Sequence, residues 1–422
     1  MTELIAAYKQ TAAKLLANPD DPEQLSNQYT LLSTTPRSPA QLAIAKRCAN
    51  NAPDEFIAVF NYASALMRGG HDSLEVFRRA LDIAPDDRRA ITLHHIGLAH
   101  HDRGEYEVAL RWYELSKSAD PNEPKIDHST AIAKLAMGQL REGLYEFEVR
   151  HHAKPRKAIS ESGISWWRGE ALEGKRVILG HEQGFGDTLQ FIRFAPLLKS
   201  RVRELVFSGP ESLAPLIAEQ FDCFDDVINE EGPFDADFVT SPMAACALMG
   251  IGYGDVNGLA YMAAKPIRLP KRGKLKVGLS WKGSPGYAND ALRSADLKDF
   301  CPLFDLPGAA FYSLQVRPGP EEISSLGLDG FIADVGSTLR DFRDTAAAIS
   351  AMDVVVTVDS ANGHLAGALG KPVLMLLGRA TCWRWMKGDT TPWYRNHKIY
   401  RQAKVDCWPM DEVRSELQRM MQ

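Results

Sequence analysis

The sequence lacks the features that mark secreted, membrane-spanning and zinc-binding proteins. Its six cysteines are scattered along 422 residues, and none belongs to a C-x-x-C motif or lies at zinc-site spacing from histidines. No run of about 18 apolar residues occurs, and the start of the chain, MTELIAAYKQ, lacks the apolar core of a signal peptide. These absences predict a protein of the reducing cytoplasm with no membrane span.

An excess of positive charge is also missing. The net charge is −5 at pH 7 and the pI is near 6.2, while the basic clusters at 154–157 and 271–274 are short. A nucleic-acid partner is therefore not expected, and we interpret the two clusters as solvated joints. A chain of 422 residues is too long for one ordinary core, so two or three domains are expected.

The first 155 residues repeat with a period of 34. Small residues, glycines and prolines recur at this spacing: Ala63, Gly97 and Ala131; Gly70, Gly104 and Gly138; Pro121 and Pro155. The pattern resembles the tetratricopeptide repeat, a pair of helices that a small residue lets approach closely and a proline ends. The similarity is strong for residues 56–155 and weaker for residues 1–50, which we interpret as a degenerate unit before Pro53.

A stack of such helix pairs over residues 1–155 presents a concave surface that typically binds extended peptide or protein. The repeats therefore predict a protein partner. The alternative is a helical spacer or an arm through which the protein forms homo-oligomers.

From Trp166 onward, short β-branched runs alternate with helical segments, which is typical of parallel sheets covered by helices. We predict two α/β lobes, residues 156–270 and 271–422, with a linker in PKRGK at 270–274. A last helix near 410–421 is expected to pack back on the first lobe. Ligands of open parallel sheets bind at the carboxyl ends of the strands, so a cleft between the lobes is the expected site.

The segment GHEQGFGDTLQF lies between a predicted strand and a predicted helix. It fails the G-x-G-x-x-G dinucleotide pattern because the third glycine is missing. Gly184 and Gly186 allow a sharp turn and a close approach to a ligand. Asp187, at the helix start, could take a proton from an acceptor hydroxyl. The alternatives are a simple N-cap role for this aspartate and a base at His181 or Glu182.

A second polar loop follows the strand in DVVVTVDSANGHLAGALGKPV. Asp359 ends that strand, and Ser360, Asn362, Gly363 and His364 lead into a helix. Backbone N–H groups at a helix start, beside hydroxyl, amide and imidazole groups, suit a phosphate or pyrophosphate. The alternative is an N-cap serine and an interior histidine without a ligand.

Other strands of the second lobe also end in polar groups. Trp281 and Lys282 end the strand in VGLSWKGSP, Arg293 lies in DALRSADL, and Gln315 ends FYSLQ. Lys282 and Arg293 suit a leaving diphosphate, Arg293 especially because its planar guanidinium can bind two oxygens. With the loop at 359–364 they predict a site for a nucleotide diphosphate.

Five segments resemble a known family: GISWWRGEALEGKRVILGHEQGFGDTLQFIRFAPLL, VGLSWKGSPGYANDALRSADL, FYSLQ, DVVVTVDSANGHLAGALGKPV and CWRWMKGDTTPWYRNHKIYRQ. They cover most of residues 163–402 in order and are similar to GT-B glycosyltransferases of the bacterial heptosyltransferase type, in the version fused to tetratricopeptide repeats. The NGH segment is also similar to the diphosphate loop of the O-linked N-acetylglucosamine transferases.

The resemblance implies roles for individual residues. Asp187 would be the general base, Asp359 would precede the diphosphate loop, and the backbone of 360–364 would hold pyrophosphate. The family's phosphate-contacting basic residue has no unambiguous counterpart, and we choose Arg293 before Lys282. The substrate-binding set expected from motifs and resemblance together is Gln183, Gly184, Gly186, Trp281, Lys282, Arg293, Gln315, Asp359, Ser360, Asn362, Gly363 and His364.

The resemblance also implies a metal-independent reaction without a cofactor. Asp235 and Asp237 spell D-x-D, which binds a metal ion in a different transferase fold. FDADFVTSP predicts a short strand that enters a loop, so we interpret this match as coincidental.

The predicted fold class is an N-terminal tetratricopeptide helical solenoid followed by a two-lobed α/β domain of the GT-B type. The predicted function is an inverting glycosyltransferase that moves a sugar from a nucleotide-sugar donor to a hydroxyl of a protein, with flagellin as one candidate. The alternatives are a glycan or lipopolysaccharide glycosyltransferase whose repeats dimerise, and a non-catalytic scaffold. The residues that read the sugar and the base vary within such folds, so neither follows from the sequence.

Overall fold

The fold is given by a computed structural model that describes residues 2–32, 39–148, 163–229, 235–269, 273–287, 289–379 and 381–422. The chain divides into two compact units, Met1–Ala133 and Lys134–Gln422. The predicted domain boundaries at 155/156 and 270/271 lie outside the described residues. Among the described residues, no helix has the length and apolar character needed to cross a bilayer.

The described part of the first unit is helical. Its helices are α1 (Thr2–Ala17), α2 (Pro22–Leu32), α3 (Pro39–Asn51), α4 (Phe56–Arg68), α5 (Leu74–Asp82), α6 (Asp86–Asp102), α7 (Tyr106–Ala119) and most of α8 (Pro124–Ala136). From α1 to α7 each helix contacts the next one along the chain. The predicted succession of paired helices is confirmed.

The ends of the helices explain the period of 34. Helices α4, α6 and α8 each end two residues before a repeated glycine, and these glycines have φ angles of 74°, 72° and 86° at Gly70, Gly104 and Gly138. Glycine is favoured in this left-handed region because it has no Cβ. The repeated small position is equally constrained, since a Cβ at Gly97 would lie 2.4 Å from Cε1 of Tyr113.

The first lobe of the second unit is a parallel sheet in the order β1-β5-β2-β3-β4. Its strands are β1 (Ser165–Trp166), β2 (Arg176–Gly180), β3 (Glu204–Gly209), β4 (Asp226–Asn229) and β5 (Phe238–Thr240). Helix α9 (Leu140–Phe147) precedes them, and α10 (Phe185–Phe191), α11 (Ala195–Lys199), α12 (Ala214–Gln220) and α13 (Pro242–Met249) accompany them. Because α9 packs against α13, the last repeat helix belongs to the unit that contains the sheets.

The second lobe is a parallel sheet in the order β11-β10-β9-β6-β7-β8. Its strands are β6 (Leu275–Ser280), β7 (Ala309–Ser313), β8 (Ile332–Asp334), β9 (Val354–Val358), β10 (Val373–Leu377) and β11 (His397–Arg401). Its helices are α14 (Asp290–Arg293), α15 (Gly319–Ser325), α16 (Phe342–Ser350), α17 (Ala361–Ala368) and α18 (Met410–Met420). Strands β9 and β10 are buried along their whole length, which explains their unbroken apolar sequences. The prediction of two parallel-sheet lobes is confirmed.

The last helix, α18, packs on the second lobe and not on the first, so that prediction is wrong. Its apolar stripe of Met410, Val413 and Leu417 is buried in the core of the second lobe. The surface that covers this stripe is the 3₁₀ segment Leu297–Leu303, which contributes its own apolar side chains to the same core.

Candidate active site

The loop between β2 and α10 turns sharply through Gln183. This residue has a φ angle of 61°, in the left-handed region where residues other than glycine are uncommon and often mark functional turns. Gly184 follows as the N-cap of α10, and its N–H donates to Oδ2 of Asp187 at 2.9 Å. Asp187 therefore does support the helix start, as the N-cap alternative expects, but only one of its two oxygens serves that purpose.

The second oxygen of Asp187 is bound by Arg384, a residue that the sequence reasoning missed. Nη2 of Arg384 donates to Oδ1 of Asp187, and Nε donates to Oε1 of Gln190 at 2.7 Å. The exposed fractions of the Arg384 and Asp187 side chains are 9% and 22%. Since Asp187 belongs to the first lobe and Arg384 to the second, this ion pair joins the lobes at the candidate base.

Arg384 is held in place by its neighbours in the turn Trp383–Trp385. Its guanidinium lies 4.4 Å from the ring centroid of Trp383, and Nη1 is 3.0 Å from Sγ of Cys382. Burial alone would lower the pKa of Arg384, but the Asp187 carboxylate and Cys382 raise it above the usual value. The signals in the sequence were an arginine between two tryptophans, in CWRW, and its place in one of the five segments that resemble the glycosyltransferase family.

The loop after β9 has the form expected of an anion site, but some of its polar groups are already bound within the protein. The N–H groups of Gly363 and His364 donate to the carbonyl of Ser360 at 3.1 and 3.4 Å. The N–H groups of Ala361 and Asn362 come before the helical hydrogen-bond pattern of α17 begins. The helix start itself therefore offers two backbone donors to an anion.

The side chains of this loop fix its shape. Nδ2 of Asn362 donates to Oγ of Ser280 and to the carbonyl of Leu314, both at 3.1 Å. Oγ of Ser360 lies 3.0 Å from Oγ1 of Thr357. These bonds tie the loop to the ends of β6, β7 and β9, so the expected ligand groups of Asn362 and Ser360 hold the backbone in position.

His364 lies between the lobes as a neutral imidazole. Burial lowers its pKa well below the usual value, Nδ1 is 3.0 Å from the hydroxyl of Tyr394, and the ring stacks on Trp385 at 5.0 Å. Its Nε2 lies 3.9 Å from Oδ1 of Asp359. The first lobe comes close here, since a Cβ at Gly186 would lie only 2.7 Å from Cδ2 of His364.

Asp359 and Arg293 face the same region. Burial raises the pKa of Asp359, the positive charges of Arg293 and Arg384 lower it, and the charge of Asp187 raises it. The guanidinium of Arg293 donates from Nε to Oδ1 of Asp290 at 2.9 Å and lies 4.6 Å from the ring centroid of Tyr287. The structure therefore brings two aspartates and two arginines into electrostatic reach of one another.

Trp281, Lys282 and Gln315 were expected to bind substrate, but their polar groups are engaged within the protein. Trp281 is fully buried, and both its indole N–H and the ammonium of Lys282 donate to Glu322. Oε1 of Gln315 accepts from the backbone N–H groups of Trp281 at 3.2 Å and Lys282 at 3.0 Å. These contacts hold the ends of β6 and β7 in position next to the loop at 359–364.

The rival base His181 is buried. Its Nδ1 lies 2.8 Å from Oγ1 of Thr188, and its ring stacks on Phe185 at 5.3 Å. Glu182 and Asp187 instead line a narrow crevice, together with residues of α10 and α13, that is too small to hold a water molecule. A recess of about 390 Å³ lies between α15 and the edge strand β8, away from these groups.

The D-x-D segment forms ion pairs in the first lobe. Asp235 lies 3.3 Å from Nη1 of Arg176, and Asp237 accepts from Nζ of Lys175 at 3.0 Å and from the N–H of Arg176 at 2.8 Å. In the part of the chain that the structure describes, no group of three or more His, Cys, Asp or Glu side chains is placed to hold a metal ion.

Comparisons with known proteins place the second lobe in a family. Residues 336–420 match glycosyltransferase family 9 (heptosyltransferase). The chain is 26% identical over 449 residues to Protein FlbA of Caulobacter vibrioides, across 97% of this chain and 74% of that protein.

Solved structures that match are more distant. The E. coli ADP-heptose lps heptosyltransferase II is 15% identical with a TM-score of 0.40, over 58% of this chain and 98% of its own. The tetratricopeptide-repeat protein TTC0263 of Thermus thermophilus is 21% identical with a TM-score of 0.31, over 36% of this chain and 84% of its own. MamA is 19% identical with a TM-score of 0.31, over 37% and 92%.

The family match spans the loop at 360–364, its preceding Asp359 and the newly found Arg384. The match to glycosyltransferase family 9 therefore covers residues 336–420, within the second lobe.

Proposed function

We propose that this protein is an inverting, metal-independent glycosyltransferase that uses a nucleotide-sugar donor. One observation carries the proposal: α10 of the first lobe, which contains Asp187, packs against α17 of the second lobe, the helix that begins in the loop after Asp359. A carboxylate of the first lobe, where we expect the acceptor, thus lies near the anion loop of the second lobe, where we expect the donor. The family 9 match of the second lobe supports transfer of a sugar.

The groups present can perform a direct displacement. As the acceptor oxygen attacks the anomeric carbon, its proton passes to the carboxylate of Asp187, and the bond from that carbon to the diphosphate oxygen breaks with its electron pair on the diphosphate. The N–H groups of Ala361 and Asn362 and the guanidinium of Arg293 stabilise the charge that develops there. Attack on the face opposite the leaving group inverts the anomeric centre.

The acceptor is proposed to be a protein, with flagellin as the first candidate. The support is the helical repeat unit of the same chain, since repeat stacks of this kind typically bind extended polypeptide. The similarity of the NGH segment to O-linked N-acetylglucosamine transferases stays a prediction.

The test is turnover by the full chain. UDP, GDP, ADP and CMP are first screened by thermal shift, and the corresponding nucleotide sugars are then incubated with flagellin, with a lipopolysaccharide core and with no acceptor. Mass spectrometry of the acceptor and nucleotide release report transfer. Asp187→Asn should lower turnover by about 10²–10⁴-fold while the nucleotide still binds, because the general base is removed and the groups of the anion loop are kept.

Two results would overturn the proposal. Near-normal turnover by Asp187→Asn would remove this residue from the reaction, and loss of turnover after chelation, restored by a divalent ion, would show that a metal is needed. Transfer to lipopolysaccharide but not to any protein would move the acceptor to the glycan class.

A further inference from the structure

We propose that Arg384 is a donor-binding residue shared between Asp187 and the diphosphate: it holds Asp187 as seen here, and moves to the donor's diphosphate when that binds. The inference rests on the proposed function and adds to it a step that couples donor binding to exposure of the base. It is carried by the contacts around the Asp187 carboxylate.

Each oxygen of that carboxylate accepts a hydrogen bond from within the protein. Oδ2 accepts the N–H of Gly184, which the helix start fixes, and Oδ1 accepts Nη2 of Arg384, which stands at the end of a long side chain. An acceptor hydroxyl must hydrogen bond to one of these oxygens before its proton can transfer. Departure of Arg384 uncovers Oδ1, whereas departure of Gly184 would require the helix start to unfold.

The other contacts of Arg384 leave it able to serve a second anion. Its Nε donates to the side-chain oxygen of Gln190 at 2.7 Å, which anchors the side chain, while the hydrogen-bond partner of Nη1 within the described part of the chain is the sulfur of Cys382 at 3.0 Å. A thiol is a weak acceptor, so a phosphate oxygen is a better partner for that edge. A guanidinium can also bind two oxygens at once, as a diphosphate allows.

The location and charge of Arg384 fit the exchange. Trp385, the neighbour of Arg384 in sequence, stacks on His364 of α17 at 5.0 Å, and Asp359, at the start of the anion loop, acts electrostatically on Arg384. In this cluster the guanidiniums of Arg293 and Arg384 face the carboxylates of Asp187, Asp290 and Asp359. A diphosphate adds at least two negative charges, so it competes with Asp187 for the guanidinium that Asp187 holds.

Inorganic pyrophosphate is the probe, because it carries the diphosphate without a sugar or a base. Its affinity is measured by titration calorimetry on the full chain for wild type, Asp187→Asn, Arg384→Gln and the double variant. Asp187→Asn should bind pyrophosphate about threefold to tenfold more tightly, since Arg384 is released, and Arg384→Gln should bind about tenfold more weakly. In the Arg384→Gln background, Asp187→Asn should leave the pyrophosphate affinity unchanged.

Glu416→Gln is the matched control. It also removes a carboxylate of low exposure, 16%, from an ion pair with Lys398, but on α18 and outside the site. It should leave pyrophosphate affinity at the wild-type value. If Arg384→Gln does not fold, as judged by its circular dichroism, Arg384→Lys replaces it. We expect Arg384→Lys to bind pyrophosphate about threefold more weakly than wild type, because the point charge of an ammonium replaces a planar guanidinium that can bind two oxygens.

The outcomes separate the two proposals. The shared role of Arg384 is wrong if wild type binds pyrophosphate but Asp187→Asn does not raise the affinity. It is also wrong if Asp187→Asn raises the affinity by the same factor in the Arg384→Gln background. In both cases the proposed function stands. If neither pyrophosphate nor any of the four nucleotides binds wild type, the proposed function fails and this inference fails with it.

Discussion

Substitution of Gly186 by alanine tests whether the two lobes meet as closely as the structure shows. Gly186 lies in the first turn of α10, where the added methyl would stand 2.7 Å from Cδ2 and 3.3 Å from Nε2 of His364. His364 has little room to move, because it is buried, bonded to Tyr394 and stacked on Trp385.

The magnitude follows from the distances. Carbon atoms in ordinary contact lie about 3.5–4.0 Å apart, so either α10 or the histidine must move by about 1 Å. Overpacking of this kind costs about 1–3 kcal/mol, and alanine in place of glycine in a helix returns about 0.5–1 kcal/mol. The expected net loss is about 1–2 kcal/mol in the free energy of unfolding.

The assay is thermal unfolding of the full chain by calorimetry. A loss of this size should lower the Tm of the sheet-containing unit by a few degrees, at about 2–4 °C per kcal/mol. Gly254→Ala is the control, because no atom lies within 4 Å of its added methyl, and its Tm should stay within about 1 °C of wild type. A Gly186→Ala protein as stable as that control would refute the close contact between α10 and His364.

Two further predictions concern the repeat unit. Burial lowers the pKa of His94 to about 4, and its Nε2 lies 2.8 Å from Oγ of Ser129. As the pH drops from 7, this histidine is protonated in the unfolded chain at a higher pH than in the folded one, so the stability of the folded state falls. Between pH 7 and pH 5 this protonation should lower the free energy of unfolding by about 2 kcal/mol. Denaturant unfolding of His94→Gln should show a pH dependence that is smaller by that amount, and an unchanged pH dependence would contradict the lowered pKa of His94. Gly97→Ala should destabilise the unit by about 2–3 kcal/mol, because its methyl meets the buried ring of Tyr113 at 2.4 Å; a wild-type urea midpoint would exclude that contact.

The repeat unit could be predicted from the sequence because its determinants are local. Glycines at Gly70 and Gly104 recur where each first helix must end in a left-handed turn, and small residues recur where two helices touch. Each constraint acts within about one repeat length and returns with the period. The parallel sheets were predictable for a similar reason, since strands buried on both faces leave unbroken apolar runs.

The active site was only partly predictable, because its contacts depend on which lobe surfaces meet. Polar residues at strand ends identify the sheet edge, but they do not tell which side chains enter the cleft and which turn inward. Gln315, Lys282 and Arg293 satisfy the same pattern, yet Gln315 holds backbone N–H groups, while Lys282 pairs with Glu322 and Arg293 with Asp290. Arg384 could not be assigned at all, because its partner lies 197 positions away and in the other lobe.

The surroundings of the two aspartates distinguish their roles under the proposed mechanism. Asp359 follows β9 with 16% of its side chain exposed, burial raises its pKa, and Nε2 of His364 in the second lobe lies 3.9 Å from its Oδ1. Asp187 instead lies in the first turn of α10 beside Glu182 and α13, with 22% of its side chain exposed, and its oxygens are held by donors from both lobes. The proposed mechanism brings the acceptor in on the side of the first lobe, so Asp187 is the base that we expect to take the proton. The charge of Asp359 then acts on Arg293 and Arg384, the two groups expected to bind the diphosphate. Because Arg384 also holds Asp187, we expect binding of the donor, rather than of the acceptor, to control when Asp187 is released.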